Sequence, residues 1–216
     1  MIQEELHDTL KSLASRRPVF HSEADFQHEL ALELVSRAYQ VRLEVPKDIS
    51  VNKETVKAEI DLLVSKDNIK TAIELKYIKK ACTIEHHDEL FELKGTWSTN
   101  LSRFDCLSDT RRIEALIEAG HAEAGYSIFL SNASDAWKKD NSRTNNMAKF
   151  FSIHEGCIIP SNTALDWFPC EPSKGSVSVK RRFPYTPIIL LKERLVCWHD
   201  YSRFESVNET FRYLVL

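Results

Sequence analysis

Asp61, Glu74 and Lys76 are the residues whose types and spacing best support chemistry. They lie in a stretch, 58–77, where two apolar-rich runs flank the polar turn Ser65-Lys66-Asp67-Asn68. That pattern predicts a β-hairpin. Alternation puts Ala58, Ile60, Leu62 and Val64 on one face of the first strand, with Glu59 and Asp61 on the other. In the second strand Ile73, Leu75 and Tyr77 share a face, opposite Glu74 and Lys76. With Asp67-Asn68 as a two-residue loop, the register sets Lys66 against Ile69, Asp61 against Glu74 and Glu59 against Lys76.

Side chains directly opposed across two strands have Cβ atoms about 4.5–5.5 Å apart, and like charges there destabilise the pair. Two such carboxylates need a proton, a cation or abundant water. A hard divalent ion such as Mg2+ takes oxygen ligands and keeps several waters, which suits this demand. Lys76 adds a fixed cation beside the acids, and Leu75 anchors the strand in the apolar layer. An acid followed by Glu-x-Lys on the next strand is a layout for holding a metal over a phosphodiester. An ordinary hairpin with one charged, solvated face and a Glu59–Lys76 ion pair is the plain alternative.

The hairpin resembles the catalytic hairpin of the PD-(D/E)xK nuclease superfamily, the restriction-endonuclease-like fold. Asp61 and Glu74-Leu75-Lys76 carry the resemblance, with the acids 13 positions apart. Ile60 stands where the motif has Pro. The resemblance covers about 22–131. It implies an α/β fold, a three-layer restriction-endonuclease-like core with a central mixed sheet flanked by helices. It also implies Mg2+ (or Mn2+) held by Asp61, Glu74 and the Leu75 backbone carbonyl, with Lys76 assisting hydrolysis of nucleic acid, DNA favoured. In that fold the helix before the first core strand often supplies another acid. Glu29 is the candidate, with Glu33 behind it; an acid on a solvated helix flank is the other reading.

The elements that must position these residues follow from periodicity. Ile2, Leu6, Leu10 and Leu13 predict a first helix over 2–14. Ser22-Glu23-Ala24-Asp25 reads as a capping start, and a second helix runs to about Tyr39, burying Phe26, Leu30, Leu34 and Ala38. Gln40–Val45 alternates as a first core strand that Pro46 closes, and 47–56 reads as a polar connection. Residues 81–107 give no clear pattern. His86-His87-Asp88 lacks a spaced third ligand for a transition metal. Ser108-Asp109-Thr110-Arg111 predicts a helix start, with Ile113, Leu116 and Ile117 apolar and an end near Gly120. Ala124–Leu130 is apolar enough for a strand buried on both faces, and the intervening helix makes it parallel to its neighbour.

Beyond 131, a short helix is expected around Met147–Phe151, and short strands at Pro187–Leu191, Leu195–His199 and Phe211–Leu216, a C-terminal β extension that either extends the sheet or forms a small β element of its own. The domain expectation is one unit over 1–216, with a core of about 22–131 and an embellishment of about 132–216. Lys79 and Lys80 extend the charge beyond Lys76. Lys180, Arg181 and Arg182, beside Phe183, form the densest basic run. Such residues hold phosphates, or serve only solubility and edge protection.

The 216 residues carry 43% hydrophobic and 28% charged side chains and a net charge of −3. No global positive field draws nucleic acid, so contact with it must be local. Five scattered cysteines, none in a C-x-x-C pair, suggest reduced thiols in a cytoplasmic protein. No signal peptide or membrane span is expected, and a homodimer is compatible with the sequence. Five glycines and no Gly-rich phosphate loop or nucleophile elbow argue against a small-molecule hydrolase. Two function classes stand: a metal-dependent nuclease, or an inactive nuclease-like module that binds nucleic acid or protein.

Overall fold

A computed structural model describes residues 1–96, 99–139, 150–167, 187–205 and 209–216. The protein is a mixed α/β structure built on a six-stranded sheet. Its strands are β1 (Gln40–Val51), β2 (Glu54–Lys66), β3 (Ile69–Ile78), β6 (Ala124–Ser131), β10 (Thr210–Val215) and β9 (Trp198–Arg203), in that spatial order. β3 and β6 run parallel; the other neighbours are antiparallel. The parallel pair is joined through a hairpin, β4 (Cys82–His86) and β5 (Glu89–Leu93), and the helix α3 (Thr99–Glu118).

Helices α1 (Gln3–Arg16) and α2 (Glu23–Ser36) cover one face of the sheet. Leu6, Leu10, Leu13, Phe26, Leu30 and Leu34 meet Leu62, Val64, Ile73, Leu75 and Tyr77 there in one buried cluster. α3 covers the other face, where Ile113, Ala115 and Leu116 pack on Leu63 and Ala72. Ser22 caps α2, its side chain accepting a hydrogen bond from the Asp25 amide at 3.1 Å. A short helix α4 (Ser134–Trp137) and a two-strand pair, β7 (Ile158–Ile159) with β8 (Arg194–Leu195), complete the described elements.

The β2–β3 register is the expected one, running from Lys66↔Ile69 to Leu62↔Ile73. The loop residues Asp67 and Asn68 have φ of 52° and 63°, the left-handed pair that a tight hairpin requires. The same device closes β1–β2 at Asn52-Lys53 and β4–β5 at His87-Asp88.

Several expectations need correction. β1 does not end at Pro46 but continues to Val51, and 47–56 is a hairpin rather than a connection. Pro46 is tolerated because β1 is a sheet edge, where a missing N–H costs no ladder bond. α3 does not start at Ser108; it begins at Thr99, and buried Phe104 and Leu107 extend its apolar face. Ala58 and Ile60 do not share the surroundings of Leu62 and Val64. They pack under α3 while the latter pair packs under α1 and α2, so β2 rolls over between them. Ile188, expected within a strand, makes only a bridge to Leu165. The C-terminal strands β9 and β10 do extend the main sheet, beside β6, as one of the two expectations for them had it. The expected helix around Met147 and the basic run at Lys180, Arg181 and Arg182 fall largely or wholly outside the described residues.

Candidate active site

The rolling of β2 opens a gap in the sheet, and the chemistry gathers at that gap. β2 and β3 are paired as far as Leu62↔Ile73 and separate one residue later. β1 and β2 keep one register on both sides of Asp61, with no pairing recorded between Glu44 and Asp61. Glu44 has φ of 49°, a left-handed conformation rarely adopted by a residue other than Gly. The gap exposes backbone donors on the edge of β3, and a buried donor must find a partner. Side chains supply them. The Leu75 amide donates to Asp61 Oδ2 at 2.6 Å, the Tyr77 amide to Glu23 Oε2 at 2.8 Å, and the Lys79 amide to Thr96 Oγ1 at 3.0 Å.

Asp61 therefore stays near Glu74 although the strands have parted. The Asp61 charge is close enough to help raise the Glu74 carboxyl. Gln27, one turn along α2 from Glu23, ties the bend down. Its amide donates to the Asp61 carbonyl at 2.9 Å and to Glu44 Oε1 at 2.5 Å. The N–H and C=O of one strand residue point to the same side, so the Leu75 carbonyl faces the same gap as its amide.

Glu74 is fully buried. Arg112, from α3, bonds its Oε2, and among the described residues Oε1 has no hydrogen-bond partner. Burial pushes the Glu74 carboxyl well above the usual range; Arg112 opposes this, and Asp61 and Asp109 add to it. Asp61 is pushed up to about 6, chiefly by burial, against the Leu75 hydrogen bond and Lys76. Lys76 Nζ lies 3.7 Å from Asp109 Oδ2 and 3.6 Å from Glu23 Oε1. Asp109, with smaller help from Glu23 and Asp61, outweighs burial and raises the Lys76 pKa. Lys76 is thus a fixed cation rather than a general base at neutral pH. The expected Glu59–Lys76 pair does not form, since β2 and β3 part after Leu62↔Ile73 and Lys76 turns to Glu23 and Asp109.

The other expected residues are placed elsewhere. Glu29 turns toward α1, where Arg16 holds it at 2.5 Å, and Glu33 pairs with Arg37 at 3.1 Å. The α2 acid at the site is Glu23 instead. Lys79 is buried, its Nζ donating to the His21 carbonyl at 3.1 Å and lying 4.6 Å from the Tyr77 ring centroid. Lys80 binds Asp135 at 2.7 Å. Lys79 is thereby withdrawn from the surface, and Lys80 is already paired with an acid. Sequence reasoning missed Glu23, Gln27, Asp109 and Arg112. The spacing of Glu23 and Gln27, four apart on one helix face, was a usable signal; Asp109 and Arg112 share the comparable i,i+3 relation.

Among the described residues no group of three or more His, Cys, Asp or Glu side chains is arranged to hold a metal ion. Glu23 and Asp109 are drawn to Lys76 instead. The pair Asp61 and Glu74 still fits a hard divalent ion. Mg2+ characteristically takes one or two carboxylates and retains its waters. Glu74 Oε1 is buried and has no hydrogen-bond partner among the described residues, so it is an oxygen free to take a ligand. No family model, curated protein or solved structure matches the chain.

Proposed function

We propose that the protein is a metal-dependent nuclease of restriction-endonuclease-like fold that hydrolyses phosphodiester bonds, DNA favoured over RNA. The observation that carries this reading is the buried Glu74, with one oxygen unpartnered, beside Asp61 and Lys76 where β2 and β3 part. The order of α2, β1, β2, β3, α3 and parallel β6 supports it. Asp61, Glu74 and the Leu75 carbonyl would hold Mg2+ or Mn2+. When bound, such an ion supplies Lewis acidity toward a phosphoryl oxygen and acidifies water.

The chain's own residues do the rest. Glu74, fully buried, presents an oxygen donor with no solvent shell to strip at the moment of binding, and half-buried Asp61 stands beside it. The Leu75 and Tyr77 amides hold Asp61 and Glu23 in place without consuming a cation. Lys76, charged and anchored between Glu23 and Asp109, orients a water by donating to it and counters negative charge developing on phosphorus oxygens.

The test is cleavage of single- and double-stranded DNA and RNA with Mg2+, Mn2+ or EDTA. Asp61→Asn should lose both cleavage and the rise in melting temperature that a native-state ligand brings. Lys76→Ala should keep the metal-induced rise while turnover drops about 100-fold or more. A melting temperature blind to divalent ions, with no cleavage of any form, leaves the inactive binding module as the reading.

A further inference from the structure

The two oxygens of Glu74 are not equivalent, and their difference bears on how many cations the site holds. Oε2 bonds Arg112 Nη2, and the same nitrogen lies 3.0 Å from Asp109 Oδ1. Oε1 is buried and, among the described residues, without a partner. In two-metal phosphoryl-transfer sites, two ions about 3.5–4 Å apart clamp the attacking and leaving oxygens. Here a guanidinium spans an acid of β3 and an acid of α3.

We propose that the site takes one divalent cation, through Glu74 Oε1 and Asp61, and that Arg112 stands permanently where a second would sit, between Glu74 Oε2 and Asp109. The inference rests on the metal-dependent reading above and settles its stoichiometry. Charge is compatible with this: among the described residues Glu23, Asp61, Glu74 and Asp109 gather around Lys76 and Arg112, which leaves room for added positive charge. Arg112 is suited to the post because a guanidinium does not deprotonate in a protein and its fork can hold two carboxylates at once. Its carrier is also firm: α3 packs on Ala72 of β3 through Ile113, the residue next to Arg112. Arg112 acts here as a positioning residue: it keeps Glu74 to one metal-facing oxygen.

Counting Mn2+ on the full chain, by calorimetric titration and by electron paramagnetic resonance of the free ion, tests this without any turnover. Wild type should bind one ion per chain, lost in Glu74→Gln. Arg112→Gln removes the resident charge and should raise the count to two, whereas Arg112→Lys, which keeps a cation, should return it to one. Two Glu74-dependent ions on wild type would overturn the inference, and so would a count of one on folded Arg112→Gln. Should Arg112→Gln fail to fold, Arg112→Met takes its place, with a count of two expected and a count of one overturning the inference. If wild type binds no Mn2+ at all, the metal-dependent reading itself fails and the inference falls with it, an outcome distinct from a count of two.

Discussion

At the scale of single residues, the site stores unfavourable electrostatics that a cation would relieve. Asp61 titrates near 6 when folded against 3.8 ordinarily, so the metal-free folded state binds that proton more tightly than the unfolded chain does. The sign follows from linkage. The stabilisation is fully present below pH 3.8 and is lost as pH rises through about 6. At about 1.4 kcal/mol per pKa unit, the loss is on the order of 3 kcal/mol, and Glu74, shifted in the same direction, adds to it. Asp61→Asn can still accept from the Leu75 amide but cannot ionise. Denaturant unfolding in EDTA should show a shallower fall in stability between pH 4 and 7 than in wild type, and at pH 7 a variant no less stable. An equal slope in the two proteins would remove Asp61 as a strained carboxylate. The acid pair and lysine could be picked out from residue order because a two-residue turn fixes the hairpin register, although the strands part before Asp61 reaches Glu74. Arg112 could not, because nothing in its local sequence reveals which strand α3 will cover.

At the scale of elements, the site depends on how closely α3 approaches the sheet. Gly125 of β6 lies under α3, and a Cβ there would stand 2.6 Å from Ile113 Cγ2 and 3.2 Å from the Ala72 carbonyl oxygen. Ile is β-branched and stiff, so it yields little. Gly125→Ala should therefore cost about 1–3 kcal/mol by overpacking. It should also lift the segment that carries Asp109 and Arg112, so the metal response of the melting temperature should change with it. An unchanged stability in denaturant titration would show that α3 is free to shift. Helix and strand identities were largely readable from periodicity, whereas bounds failed where context prevailed. Pro46 does not stop β1 because that strand is an edge. The polar Ser108-Asp109-Thr110 segment does not start α3 because tertiary burial of Phe104 and Leu107 continues the helix through it.

At the scale of the molecule, the C-terminal strands are part of the frame. β10 lies between β6 and β9, and Phe211, Tyr213 and Leu214 on it are buried. Leu216 and Ser127 exchange backbone hydrogen bonds at 2.9 and 3.0 Å. A core of about 22–131 with a C-terminal embellishment is what local pattern suggests, because short strands carry no mark of the neighbour they will join. A fragment of 22–131 would leave the β6 edge unpaired and would lack the α1 leucines that cover Ile73 and Leu75. It should show collapsed amide dispersion in a proton–nitrogen correlation spectrum and no cooperative unfolding. A well-dispersed spectrum from that fragment would show that the frame is smaller than the six strands.

The carboxylate-held edge of β3 has a further consequence. Most strand amides donate to neutral carbonyls, but those of Leu75 and Tyr77 donate to Asp61 and Glu23. Bonds to a charged acceptor are shorter and more polarising, so these two protons sense the charge of the site through the backbone itself. Their resonances should lie downfield, shift together as Mg2+ is added, and follow the ionisation of Asp61 with pH. In Asp61→Asn the Leu75 signal alone should move toward the ordinary strand range. The protein thus carries, in its own main chain, two spectroscopic gauges of whether its site is charged, protonated or filled.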